Sequence, residues 1–328
     1  MNILFLIGNG FDLNLGMKTR YSDFYKYYIT KKSSSKLVQE LKESINSNIE
    51  NWSDLELALG EYTKNLKSTE EFNEVFDDIE DNLGDYLEWV EEKFDYSQLD
   101  KTKLLKFLAH PENSLPSADR NMIKSFKQKW RSTQNNINVI TFNYTQSIEK
   151  LTDYDGNPIR INSLINIAMP SIIIQKIEHI HGYTDERMVM GVNDVSQISN
   201  NKFHTNEDVI ETLVKVECNK AQKHNIDDWC KKQISEANLI CVFGSSIGDT
   251  DNIWWQLIGD QLKKECKLII YEKGEQIPRR RPQKGKILER SKKTYFLNKT
   301  KLNESEKESA KDKIYFGINT NMFDIKTN

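Results

Sequence analysis

The chain opens on an unbroken apolar run, Ile3 to Ile7, that stops at Gly8. With no polar alternation to leave a solvent side, the run predicts a short strand over Asn2 to Gly8, buried on both faces of a parallel sheet. The period then changes. Leu37, Leu41, Ile45 and Ile49 recur every four residues, and Phe72, Phe76, Ile79, Leu83, Leu87, Val90 and Phe94 keep one stripe for about six turns at 3.6 residues each. Tyr21 to about Arg131 therefore reads as an all-helical insertion, broken by Pro111 and Pro116, with Met122, Ile123, Phe126 and Trp130 marking its last helix. Strand patterns return at Ile137 to Phe142, Ile172 to His181, Leu239 to Phe243 and Lys267 to Tyr271, with helical segments between most of them, and again at Ile314 to Ile318. Arg187 to Gly191, close after His181-Gly182, reads as a short antiparallel strand. The alternation predicts an α/β protein with a mostly parallel sheet and a large all-helical insertion after the first strand. The expected divisions are the first strand and glycine turn (1–20), the insertion (21–132), the rest of the α/β domain (133–275) and a basic, polar C-terminal segment (276–328).

Charge and cysteine usage narrow the class. Formal charge is −3 and the pI is near 6.1, which excludes a surface built throughout to hold nucleic acid. Residues 279–293 are a local exception, with eight Lys or Arg and one Glu; they read as a solvated basic tail or as a nucleic-acid patch. Cys218, Cys230, Cys241 and Cys266 include no CxxC pair, a spacing that suits neither a zinc ribbon nor a disulfide framework and predicts a reducing, cytoplasmic setting. No apolar stretch approaches about 18 residues, and the opening run lacks a basic leader, so neither a membrane span nor a signal peptide is expected.

Four motifs carry candidate chemistry. In Ile7-Gly8-Asn9-Gly10-Phe11-Asp12 a buried strand turns into a helix that reaches Gly16. Glycine lets the backbone turn sharply and lets a phosphate approach the amides, while the helix start adds partial positive charge. A pyrophosphate suits this turn; a tight turn without a ligand is the plainer alternative. The spacing departs from GxGxxG, and helices intervene where an acidic residue would end the second strand, which disfavours hydride transfer. In Val139 to Thr145, Thr141 and Asn143 stand at a strand's carboxyl end, where an open α/β sheet faces its ligand. Asn143 suits a ribose or a water, or serves only as an N-cap.

His179-Ile180-His181-Gly182 sets two histidines at i and i+2, pointing the same way, as a general base with a partner or as two metal ligands. No third ligand is evident, so no metal is expected; a histidine satisfied within the sheet is the plain alternative. Val242 to Asp251 runs a strand into Gly244-Ser245-Ser246, whose hydroxyls suit phosphate or ribose oxygens, with Asp249 or Asp251 as a cap for the helix carrying the core residues Trp254 and Trp255. In Trp52-Ser53-Asp54-Leu55-Glu56 the spacing of Ser53 and Glu56 is that of a capping box.

Taken in this order, the motifs resemble those of a divergent sirtuin. Gly8, Gly10 and Gly16 reproduce the glycine spacing of the sirtuin GAG-x-S-xxx-G, and Thr19, Arg20 and Tyr21 fall at its cofactor loop. Thr141 to Thr145 match its TQNID, His181-Gly182 its HG and Gly244-Ser245-Ser246 its GTS. Thr145 stands where sirtuins have Asp, Tyr271 sits near the place of a ribose-holding Asn, and the zinc-binding cysteine quartet of protein deacylases is absent, which disfavours protein deacetylation. More narrowly, NILFLIGNGFDLNLGMKTRYSDFY, WSDLELALGEY, ITFNYT, HIHG and FGSSIGDTD resemble the bacteriophage abortive infection AbiH family over about Met1 to Tyr271.

These resemblances imply a Rossmann-like, sirtuin-like fold acting in antiphage defence, with NAD as a substrate hydrolysed to nicotinamide and ADP-ribose. They imply cofactor binding by Gly8, Asn9, Gly10, Phe11, Asp12, Gly16, Thr19, Arg20, Tyr21, Thr141, Gly244, Ser245, Ser246 and Asp249. The same resemblances imply catalysis by Asn143, orienting water or ribose hydroxyls, and His181, acting as base. A phage-derived trigger and a homo-oligomer are the expected partners. Two alternatives stay open: a pocket that senses a nucleotide without turning it over, and a nucleic-acid effector working through 279–293.

Overall fold

A computed structural model describes residues 1–168, 170–274, 276–278, 280–281 and 283–327. Among them, β1 (Asn2–Ile7), β2 (Asn135–Thr141), β3 (Ile159–Arg160), β4 (Ile172–His179), β5 (Leu239–Phe243), β6 (Lys267–Glu272) and β7 (Ile314–Ile318) form one sheet in the order β3-β4-β2-β1-β5-β6-β7. Its pairings are parallel except β3 with β4. β1 explains its own apolar run. Ile3, Phe5 and Ile7 enter one core while Leu4 and Leu6 enter another, because successive side chains point to opposite faces and both faces are covered.

After β1 the glycine turn enters α1 (Gly10–Leu15), and the insertion that follows is helical, as its stripes predict: α2 (Tyr21–Tyr28), α3 (Lys36–Ser47), α4 (Leu55–Tyr62), α5 (Thr69–Glu92), α6 (Lys101–Ala109) and α7 (Ser117–Lys127). Its buried residues Leu41, Ile45, Phe72, Ile79 and Leu83 belong to the same core as Ile3, Phe5 and Ile7, so it packs on one face of the sheet rather than standing apart. After β2 come α8 (Ser147–Thr152), α9 (Glu207–Leu213), α10 (Lys215–Ala221), α11 (Ile226–Glu236), α12 (Asn252–Leu262), α13 (Gln283–Asn298) and α14 (Glu304–Lys311). The second core joins Cys230 and Ile234 of α11, Trp255 and Ile258 of α12 and Phe296 and Leu297 of α13 to Leu4, Leu6 and Val242. All four cysteines are buried and free.

The antiparallel strand expected at Arg187 to Gly191 does not form. Gly182 turns the chain with φ +72°, so tightly that a Cβ there would stand 1.9 Å from Arg187 O, and Val189 N donates to His181 O at 2.8 Å without extending into a ladder. The antiparallel edge is β3 instead, and β4 stops at His179, before the expected His181. The stretch beyond residue 276 enters the fold: β7 pairs with β6, and Phe296 and Phe323 are fully buried. Glu275, at the expected boundary, and Arg279 and Pro282, in the basic stretch, lie outside the described residues. Among the described residues no helix is long and apolar enough to cross a membrane.

β1 sits between β2, from which the chain continues to β4, and β5, from which it continues to β6 and β7. The strand order therefore reverses beside β1 and β5, and the carboxyl ends of these strands are where an open α/β sheet leaves a crevice.

Candidate functional site

Two turns meet in that crevice. Gly8 N donates to Phe243 O at 2.9 Å and Gly10 N to Gly244 O at 2.8 Å. A Cβ on Gly8 would stand 2.8 Å from Gly244 O, and one on Gly10 would stand 2.4 Å from Gly244 Cα. Glycine is thus required at both positions by the approach of one backbone to another, before any ligand is considered. The Gly10 amide is committed to Gly244 O, and the Phe11 amide donates to Gly8 O at 2.9 Å. Gly16 ends α1 as a left-handed C-cap, with φ +103°.

The turns open onto a cavity of about 820 Å³. Of the residues implied as cofactor-binding or catalytic, Gly8, Asn9, Gly10, Arg20, Tyr21, His181, Gly244, Ser245, Ser246 and Asp249 line it. They are joined by Asp54 and Glu56 of the insertion, Phe142 and Tyr144 after β2, and Asp251 after β5. Tyr271, Glu272, Lys273, Tyr295, Thr320 and Met322 line it as well.

The remaining implied residues sit behind this surface. Phe11 packs edge-on against Phe243 and Phe323 in the core. Asp12 is 1 % exposed and accepts from Ser147 Oγ at 2.5 Å and Thr145 Oγ1 at 2.6 Å; burial pushes its carboxyl up to about 6 against those two hydrogen bonds. Thr19 Oγ1 donates to Asn9 Oδ1 at 2.5 Å while Asn9 Nδ2 donates to Thr19 O at 2.7 Å, so Thr19 fixes the orientation of Asn9. Thr141 Oγ1 accepts from Asn143 N at 3.1 Å. Asn143 is 5 % exposed, and both polar atoms of its side chain are buried without a partner among the described residues, an arrangement that costs about 1–3 kcal/mol until something satisfies it. Ser245 Oγ accepts from Ile247 N at 3.1 Å, which stabilises the turn it stands on.

The two histidines part company. His179 Nδ1 meets Asn143 O at 2.7 Å and its Nε2 meets Glu149 Oε1 at 2.6 Å, behind the cavity. His181 Nε2 lies 3.2 Å from Asp251 Oδ1, in the cavity wall. They were expected to face one way; the chain leaves the strand at His179, so the period-two rule no longer governs His181.

Asp251 Oδ1 also accepts from Lys215 Nζ at 2.9 Å, and Lys215 Nζ reaches Glu56 Oε2 at 2.8 Å. Burial pushes the Asp251 carboxyl up, but Lys215 and His181 beside it more than offset that and hold it well below the ordinary range. Burial likewise raises Glu56, against the pull of Lys215. Burial depresses the Lys215 ammonium, but Asp251 and Glu56 together leave it above its ordinary value.

Glu56 was expected to share a capping box with Ser53, and Asp249 or Asp251 to cap the helix after β5. Instead α4 is capped by Asp54, whose side chain accepts from Leu57 N at 3.1 Å, leaving Glu56 within the helix and turned inward. Asp251 precedes α12 but makes no side-chain cap bond, and Asp249 pairs with Lys299 at 2.6 Å. Lys215 went unnoticed in the sequence because a single lysine on a short helix carries no local signal.

An open, mostly parallel α/β protein with a cavity at the carboxyl ends of its central strands is the class these features define. The chain belongs to the bacteriophage abortive infection AbiH family, whose model matches residues 4–272. Membership implies a role in defence against phage by abortive infection. No match is found among curated proteins. The matched span takes in both glycine turns and the Glu56, Lys215, Asp251 and His181 chain, whereas Tyr295, Thr320 and Met322 come from beyond it.

Proposed function

We propose that the cavity binds NAD and hydrolyses it to nicotinamide and ADP-ribose, on a sirtuin-like variant of the Rossmann-like fold. The observation that carries this reading is a single cavity onto which the two glycine turns open and which the His181–Asp251 pair also lines. Arg20, Asn9 and the Ser245-Ser246 turn supply a cation and neutral polar groups beside two glycine turns, an environment suited to a diphosphate. Glu56 and Asp251 stand beside His181 in the lining of the same cavity, where positive charge developing on a ribose would be stabilised. The cavity's size is that of a small-ligand site, on the order of 300–1,000 Å³.

In the proposed reaction the C–N bond between C1′ and nicotinamide breaks, and its electron pair leaves with the nicotinamide. Water adds to C1′, and its proton passes to the His181–Asp251 couple, as general-base catalysis requires. Asn143, between the cavity-lining Phe142 and Tyr144 in sequence and with its unpartnered amide just behind the wall, is the group assigned to orient that water or a ribose hydroxyl.

Purified protein incubated with NAD is expected to release nicotinamide, and His181→Ala and Asn143→Ala are each expected to reduce that release by roughly 100-fold or more. Absence of release by the wild-type protein with purified trigger-free and phage-infected extracts alike, or full activity in both variants, overturns the proposal.

A further inference from the structure

Four charged or titratable side chains from four separate segments touch in series. Glu56 belongs to α4 of the insertion, Lys215 to α10, Asp251 to the segment between β5 and α12, and His181 to the turn after β4. Lys215 is buried, and its ammonium spans the two carboxylates at 2.8 and 2.9 Å. A buried ion pair adds little stability over well-packed apolar side chains, because desolvation offsets its attraction. Stability alone therefore does not account for this arrangement.

We infer that Glu56 and Lys215 are positioning residues: through Asp251 they set the orientation and proton affinity of His181, which makes the helical insertion part of the reaction centre. The inference rests on the NAD-hydrolase reading for its catalytic meaning, though not for the coupling itself. The backbone holds the series in register. A Cβ on Gly60 of α4 would stand 2.4 Å from Gln197 O, so α4 lies flush against the loop over 192–198. That loop is stitched to α9 and α10 by Val192 N donating to Leu213 O at 2.7 Å and Lys215 N donating to Val192 O at 3.0 Å. Asn193 Oδ1 accepts from Ile253 N at 3.1 Å and so ties the same loop to α12.

The groups facing His181 are Asp251, Lys215 and Glu56, Asp227 of α11, and the rings of Phe142 and Tyr144. Lys215 and Glu56 are groups of opposite charge type at the end of one series, so removing one or the other is expected to act on His181 in opposite directions.

The test is a histidine-selective NMR titration of the full chain beside the pH profile of nicotinamide release. The chain has five histidines, and the resonance lost in His181→Asn identifies the one in question. Lys215→Met is expected to move the His181 titration midpoint, and the acidic limb of kcat, upward by about one pH unit, and Glu56→Gln to move both downward by a similar amount. Lys215→Arg, which keeps the charge, restores the midpoint towards wild type. Opposite displacements support the coupling even in a protein that releases no nicotinamide, which separates it from the hydrolase reading. Displacements in one direction, or none, overturn it. Should Lys215→Met fail to fold, Glu56→Gln alone decides, and an unmoved midpoint there overturns the inference.

Discussion

Gly244 presses its backbone onto the amide of Phe11: a Cβ on Gly244 would stand 2.7 Å from Phe11 N, and the residue adopts φ +71°. Any side chain there meets backbone that has nowhere to go, in a conformation that L-residues avoid. Gly244→Ala and Gly10→Ala are each expected to cost about 2–4 kcal/mol of stability, read from urea denaturation midpoints. Gly156→Ala is the control, since Gly156 has φ +95° with nothing within 4 Å of its would-be Cβ, and it loses only about 1–2 kcal/mol to backbone strain. Equal losses at Gly10 and Gly156 would show that close packing is not what demands glycine in the first turn.

Asn143 keeps both polar atoms of its side chain buried without a partner among the described residues. Its unpartnered buried amide predicts that Asn143→Leu raises the thermal stability of the ligand-free protein by about 1 kcal/mol while abolishing nicotinamide release. Thermal denaturation beside the NAD assay checks both halves. A variant less stable than wild type would mean that the amide is already satisfied.

Asp12 makes stability depend on pH in the less common direction for an acid. Its folded value of about 6 lies above the ordinary 3.8, so between these values the folded state binds more protons than the unfolded one and stability falls as pH rises. The difference amounts to roughly 1–3 kcal/mol, lost in full above pH 6 or so. Asp12→Asn is expected to remove this dependence and to exceed wild type in stability at pH 7.5. Denaturation of both proteins across pH 4 to 8 reads the effect as a gap that widens with pH; a constant gap would refute it.

Phe323 ties the last residues to the first turn. Its ring is fully buried and packs against Phe5, Phe11, Phe107 and Phe243, although it lies outside the span matched by the family. Phe323→Ala is expected to cost about 3–5 kcal/mol. Deleting residues beyond 272 removes β7 and the α13 contributions to the second core, and is expected to yield insoluble protein. A soluble, cooperatively unfolding truncation would show that the sheet does not need β7.

What the sequence determined by itself is local. The apolar run of β1, the long stripe of α5, the returning strands and the glycine turns were legible because periodicity and turn chemistry act over a few residues. Contacts decided the rest. Glu56 and Lys215 stand 159 positions apart, and Glu56 and Asp251 each matched a capping role that their immediate neighbours offered, so nothing short of the folded chain could redirect them to one another. The same holds for the parting of His179 and His181, which depends on where β4 ends, and for the strand that fails to form at 187–191, where the bond from Val189 N to His181 O across the Gly182 turn is not extended into a ladder. Side-chain period and turn type are properties of a segment, whereas a buried charge acquires its partner only when the sheet and the insertion close around it.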